Sequence, residues 1–222
     1  MDIKDVLKIT DHTFLKPEAA WPDIMAVIDD AAVFSAASVC IPPSFVKRAA
    51  EYSGGRVKIC TVIGFPNGYN TPEVKAFETE NAVKNGADEI DAVIDIGMVK
   101  EGRCDDLLRE LKLIRKACQG KVFKVIIETC LLTEDEKIRL CHIVTESGAD
   151  FIKTSTGFSS GGATAEDVAL LRANVGKNVK VKASGGIRTI EAAEKMIEAG
   201  ASRIGASAIV AEAKKPAASR RE

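Results

Sequence analysis

Only two histidines, His12 and His142, occur in the 222 residues. A zinc site built on two or three imidazoles is thereby disfavoured, and the expectation is chemistry without a metal or other cofactor. The six cysteines (Cys40, Cys60, Cys104, Cys118, Cys130, Cys141) include no C-x-x-C pair. That pattern suits reduced thiols in the cytoplasm better than a disulfide framework. No apolar run approaches the ~20 residues of a membrane helix, and the N-terminal Met1-Asp2-Ile3-Lys4-Asp5 is charged where a signal peptide would be apolar. The net charge is −1, so neither nucleic acid nor an anionic membrane is favoured as a partner. No G-x-G-x-x-G turn follows the first expected strand, which counts against an open dinucleotide-binding sheet.

What is present is a 46% hydrophobic share, ample for a sizeable core. The periodicity predicts a short amphipathic helix over 2–8 and then strands alternating with helices. The strands are expected at 9–14, 38–41, 57–63, 89–95, 122–127, 150–153, 179–184 and 203–205, with a last helix from near Ser207. Thr71-Pro72 fits an N-cap and first helical position, and Thr133 with Glu136 fits a capping box. Asn85-Gly86-Ala87-Asp88, Ser147-Gly148-Ala149-Asp150 and Ala199-Gly200-Ala201-Ser202 repeat one pattern. Each is a helix closed by a glycine at C′, with a strand at once after it. This is an α/β pattern. It points to a single-domain (β/α)8 TIM barrel spanning 1–222, with a short extra N-terminal helix and a frayed or disordered tail from about 211. An open doubly wound sheet is the second choice.

Lys153 ends the sixth strand, in Phe151-Ile152-Lys153-Thr154-Ser155-Thr156-Gly157-Phe158, and Lys182 ends the seventh. Strand ends are where such barrels keep their chemistry. On adjacent strands ~4.8 Å apart, two inward lysines are neighbours, and each disfavours the other's charge. A neutral amine is a nucleophile. Lys153 alone reads as a loop lysine; the pair favours function, whereas Lys180 reads as structural. Asp91 is either a proton relay or an ion-pair partner, and Asp11 faces the same choice. Asp95 shares the parity of Asp91 and receives no role. Gly185-Gly186 and Ser207 follow strands seven and eight, where backbone N–H groups and a helix start often bind phosphate, and Gly157 with Gly161-Gly162 adds unhindered backbone nearby.

With these residues in view, the chain resembles the deoxyribose-phosphate aldolase family, class I (Schiff-base) aldolases, along nearly its whole length. The resemblance rests on Asp11-His12-Thr13 with Lys16-Pro17, Val39-Cys40-Ile41, Val62-Ile63-Gly64-Phe65-Pro66 and Glu89-Ile90-Asp91. Its most specific stretches are Lys153 to Phe158 with Gly161-Gly162-Ala163-Thr164, and Lys182-Ala183-Ser184-Gly185-Gly186-Ile187-Arg188. It implies Lys153 as Schiff-base nucleophile, Lys182 as the lysine that tunes it and exchanges protons, and Asp91 as proton relay. It implies substrate contacts at Asp11, Cys40, Thr156, Gly157, Gly185, Gly186 and Ser207. Cys40 also reads as a plain buried strand cysteine.

The implied partner is a small phosphorylated sugar, and a homo-oligomer, dimer or tetramer, is left open. Two positions depart from the family pattern: Ala208, where many members carry a second serine, and the Arg220-Arg221-Glu222 end, where some carry an aromatic. Two other readings remain: a different Schiff-base aldolase on the same barrel, and a phosphate-binding barrel without catalysis.

Overall fold

The computed structural model describes residues 2–215. After helix α1 (Ile3–Lys8), strands and helices alternate: β1 (Thr10–Thr13), α2 (Trp21–Val33), β2 (Ser38–Ile41), α3 (Val46–Ser53), β3 (Ile59–Ile63) and α4 (Pro72–Lys84). They continue as β4 (Glu89–Val93), α5 (Ile96–Lys100), α6 (Cys104–Ala117), β5 (Val122–Ile126), α7 (Glu134–Glu146) and β6 (Phe151–Lys153). The last are α8 (Ala165–Asn174), β7 (Lys180–Ser184), α9 (Ile190–Glu198), β8 (Arg203–Ala206) and α10 (Ala208–Ala213). The eight strands pair in sequence order, all parallel, and β8 pairs back to β1. The expected barrel is therefore closed, and α1 packs against α9 and α10 outside it.

Local signals act as the residue types dictate. Asp2 caps α1 through its side chain, and Thr133 with Glu136 forms the capping box of α7. The repeated Gly86, Gly148 and Gly200 adopt φ of 103°, 76° and 111°, left-handed backbone in which a side chain would be strained. Two expectations are corrected. The fourth strand ends at Val93, because Asp95 turns away to cap α5 by accepting from Gly97 N–H at 2.8 Å. The final helix runs to Ala213, which is buried, so residues 211–213 are helical where a frayed tail was expected; residues 216–222 of that expected tail lie outside the described residues.

The main apolar core lies between the barrel wall and the helices. Ile90, Ala92, Phe123, Val125, Ile152, Val181, Ala183 and Ile204 pack outward there against Ile24, Ile28, Leu107, Leu111, Leu140 and Leu171. Alternation along a strand then sends the intervening residues inward. Inside, the apolar part is small, comprising Cys40, Cys60 and Val62 with Leu15 and Phe65 against them. Much of the rest of the interior is charged.

Candidate active site

Six strands bring seven ionisable side chains to one place: Asp11, Glu89, Asp91, Lys124, Lys153, Lys182 and Arg203. Asp91 is the hub. Its Oδ2 accepts from Lys153 Nζ and from Lys182 Nζ, each at 2.7 Å. Its Oδ1 accepts from Lys124 Nζ at 2.8 Å and from the Cys60 thiol at 3.2 Å. Asp11 accepts from Lys182 Nζ, and from Ser38 Oγ and Arg203 Nη1 at 2.7 Å each. Glu89 spans Lys124 at 2.5 Å and Arg203 at 3.3 Å. Asp11, Asp91, Lys124 and Lys182 have no exposed surface, and Lys153 keeps 3%.

Burial by itself would neutralise these groups. For Asp91 burial is outweighed by Lys124, Lys153 and Lys182, which hold its carboxyl well below the usual carboxylate range. Asp11 is likewise depressed, by Lys182, Lys124 and Arg203 against burial. Burial would strip the proton from Lys182, but Asp11 and Asp91 more than compensate, so its pKa is raised. Lys124 is raised in the same way, chiefly by Asp91. This revises the expectation of two lysines that simply repel: Lys182 is a persistent cation because two carboxylates bind it. Four basic groups face three carboxylates here, one positive charge in excess if all are ionised.

Above this network opens a cavity of about 320 Å³, lined by Lys153, Thr156, Gly157, Gly185, Gly186 and Ser207, with Lys16 and Arg188 at its rim. Of the expected substrate residues, the structure thus gathers Thr156, Gly157, Gly185, Gly186 and Ser207 around the Lys153 amine. Asp11, Cys40, Asp91 and Lys182 lie beneath it and do not line it. Cys40 packs beside Cys60 in the small apolar part. Lys180 is exposed, with its amine 5.8 Å from the centre of the Phe151 ring, so it lies outside the site. Two close approaches shape the cavity wall. A Cβ on Gly205 would sit 3.1 Å from Lys182 Cε and 2.8 Å from Ser184 Cβ, and one on Gly162 would sit 2.3 Å from Gly185 O.

Lys124, Glu89 and Arg203 were not singled out from the sequence. Their signal was available, since each shares its strand's inward parity with a candidate or follows it in register: Asp91 pairs with Lys124, and Lys182 with Arg203. Ligand-type atoms do cluster without histidine, in Cys40, Cys60 and Asp91 and in Asp11, Cys60 and Glu89. Lys124 Nζ already lies among them, 3.4 Å from Cys60 Sγ and 3.7 Å from Asp11. A divalent cation would therefore meet ammonium groups there, and these carboxylates serve as lysine counter-ions.

A closed β/α barrel with a lysine amine at the floor of a strand-end cavity, over a buried ion network, defines an enzyme site equipped for amine chemistry. The DeoC/LacD family aldolase profile matches residues 6–212. A deoxyribose-phosphate aldolase of Clostridioides difficile is 58% identical over 207 residues, covering 93% of this chain and 94% of that one. A putative deoxyribose-phosphate aldolase from Coccidioides immitis superposes with TM-score 0.93 at 39% identity, over 97% of this chain and 88% of that one. Deoxyribose phosphate aldolase from Aeropyrum pernix, described as a unique tetramer, gives TM-score 0.89 at 31% identity, over 94% and 89%. The chain belongs to the DeoC/LacD family of aldolases, enzymes of the lyase class.

Proposed function

We propose that this enzyme cleaves 2-deoxy-D-ribose 5-phosphate reversibly to D-glyceraldehyde 3-phosphate and acetaldehyde through a Schiff base on Lys153. The observation that carries this reading is the Lys153 amine. It is the one amine of the network that reaches the cavity, and its hydrogen bond runs to Asp91 Oδ2, shared with Lys182. Relatives named for this reaction, at up to 58% identity over nearly the full chain, supply the substrate.

The neutral Lys153 amine attacks the aldehyde carbon of the open-chain sugar, and loss of water leaves a protonated imine. Asp91 Oδ2, 2.7 Å from the Lys153 amine, is placed to take the proton that the amine gives up. The imine is an electron sink. When a base takes the proton from the 3-hydroxyl, the C2–C3 bond breaks, its electrons form an enamine, and glyceraldehyde 3-phosphate leaves. Protonation of the enamine carbon and attack by water return acetaldehyde and free Lys153. Asp91 and the cationic Lys182 move these protons, with water as carrier. Asp11 holds Lys182 in place.

The phosphate lies at the far end of the cavity, against the backbone N–H groups of Gly157, Gly185, Gly186 and Ser207, with Lys16 and Arg188 adding positive charge. Cys40 sits under the aldehyde end. A cytoplasmic role in deoxynucleoside breakdown fits a chain whose six cysteines are all free, and a homo-oligomer fits the tetramer formed by the A. pernix relative. Among the described residues no helix is long and apolar enough to cross a membrane.

Acetaldehyde with borohydride tests the reading. An ethyl group located on Lys153 by peptide mass mapping, with loss of activity, is expected. A label on Lys124 or Lys182 would refute the assignment of the nucleophile.

A further inference from the structure

Outside the ion network, two buried carboxylates have no part in the proposed chemistry: Glu110, which pairs with Lys75 at 2.8 Å, and Glu128. Glu128 stands just beyond β5, on the cavity side of the barrel, and is 4% exposed. Its backbone is left-handed, with φ 54° and ψ 67°. Such a conformation is strained for a residue with a side chain and persists only where surrounding contacts enforce it. The other non-glycine residues with positive φ among those described, Ser35 and Gln119, are exposed turn residues. Glu128 also has no ion-pair partner among the described residues. A buried carboxylate without a cation is costly unless its oxygens are well hydrogen-bonded.

Apart from a long contact from the Cys130 thiol to Oε1, at 3.9 Å, the bonds come from one residue. Thr156 donates its backbone N–H to both carboxylate oxygens, at 3.3 Å each, and its hydroxyl to Oε2. The same hydroxyl accepts from Phe158 N–H at 3.0 Å. A chain of contacts thus runs from the end of β5 through Thr156 to Phe158, across Gly157 at the cavity wall. The residues nearer Lys153 are held differently. Lys153 O accepts from Ile127 N–H at 3.0 Å, and Thr154 N–H donates to Lys182 O at 3.1 Å, extending the sheet ladder on both sides. Beyond Ser155 the segment has no regular structure until α8. Glu128 is therefore the clamp on the part of the loop that the ladder does not reach.

We propose that Glu128 is a positioning residue for the phosphate end of the substrate: through Thr156 it fixes Gly157, and so sets the preference for phosphorylated over unphosphorylated sugars. This rests on the aldolase reading above. Lys153 itself is held by the ladder, so loss of the clamp acts on phosphate affinity and leaves imine chemistry in place.

Steady-state kinetics of Glu128→Ala on deoxyribose and on its 5-phosphate test this. The expected result is a KM for the phosphorylated sugar raised roughly tenfold or more, the size of a lost hydrogen bond to a charged group. kcat and the deoxyribose kinetics should change little, and borohydride labelling of Lys153 with acetaldehyde should be retained. Thr156→Val should raise the same KM, Thr156→Ser should restore much of the affinity, and the double variant Glu128→Ala/Thr156→Val should cost less than the sum of the two single changes, because both act on one set of bonds. Glu128→Gln, which keeps the side-chain shape, covers the case in which Glu128→Ala fails to fold. Equal losses on both sugars, or additive effects in the double variant, would overturn the clamp. Absence of labelling in the unmodified enzyme would instead overturn the aldolase reading.

Discussion

Lys153 and Lys182 are register partners on adjacent parallel strands, and their amines meet on a single oxygen, Oδ2 of Asp91, at 2.7 Å each. They are not equivalent. Lys182 has a second carboxylate, Asp11, whereas Lys153 faces the cavity. Lys182 is held between two carboxylates, while Lys153 has one and borders the cavity, and the asymmetry comes from which strand carries Asp11.

Lys182→Leu removes the persistent cation and leaves a full network otherwise. Turnover should fall by orders of magnitude, and borohydride trapping of acetaldehyde should slow at neutral pH. Removing one partner of a buried ion pair costs about 3–5 kcal/mol; here Lys124 and Arg203 still bind Asp11, so the loss of Tm should lie at the low end. A trapping rate equal to the parent's would show that Lys182 does not act on Lys153.

Asp91→Asn keeps the shape and removes the proton acceptor. A fall in kcat on the order of 10²- to 10⁴-fold is expected, with imine formation slowed yet detectable by trapping. Lys124 and Lys153 each lose a counter-ion, so Tm should also drop. High residual activity together with a large loss of Tm would assign Asp91 a purely structural part.

Stability should fall in two stages as the pH is lowered. Burial holds His12 below its usual 6.5, so unfolding takes up a proton and stability declines as pH falls through about 6.5. Asp11 and Asp91 are depressed from 3.8. Their contribution is complete above about pH 4 and is lost as pH falls further. Lys124 and Lys182 are raised from 10.5, so theirs is complete below about pH 10.5 and fades above it. Tm followed by circular dichroism from acid to alkali reads this out. His12→Gln should abolish the first stage and leave the second, and a single transition unaffected by His12→Gln would contradict the assignment.

Ala208 begins α10 directly after Ser207, which lines the cavity. Ala208→Ser adds a hydroxyl there. A hydrogen bond to phosphate contributes about 1.5–3 kcal/mol, so KM for the phosphorylated sugar should fall by roughly tenfold. The phosphate is remote from the breaking bond and bound alike in ground and transition states, so kcat should hardly move. The same change on unphosphorylated deoxyribose would place residue 208 away from the phosphate.

Much of this was legible in the linear chain. Glycine-closed helices followed at once by strands mark the βα units, because a left-handed C′ position and a short turn are local requirements. Lys153, Lys182 and Asp91 stand out because strand parity alone turns them inward, where a charge needs a reason. Asp95 shared that parity and was still misplaced on a strand, since a side-chain cap at Gly97 ends β4 two residues earlier than alternation suggests. Parity also cannot say what an inward side chain meets. Lys124 meets Asp91 and Glu89 across the neighbouring strands β4 and β5, but Arg203 and Lys124 reach Asp11 only when β8 closes on β1 and strands distant in sequence face one another. Likewise, nothing near Glu128 in the chain announces Thr156, 28 residues on. Local propensity is a property of short segments and was determined by the sequence directly; the two carboxylates around Lys182 and the contact of Glu128 with Thr156 join residues far apart in the chain, which only the tertiary fold brings together.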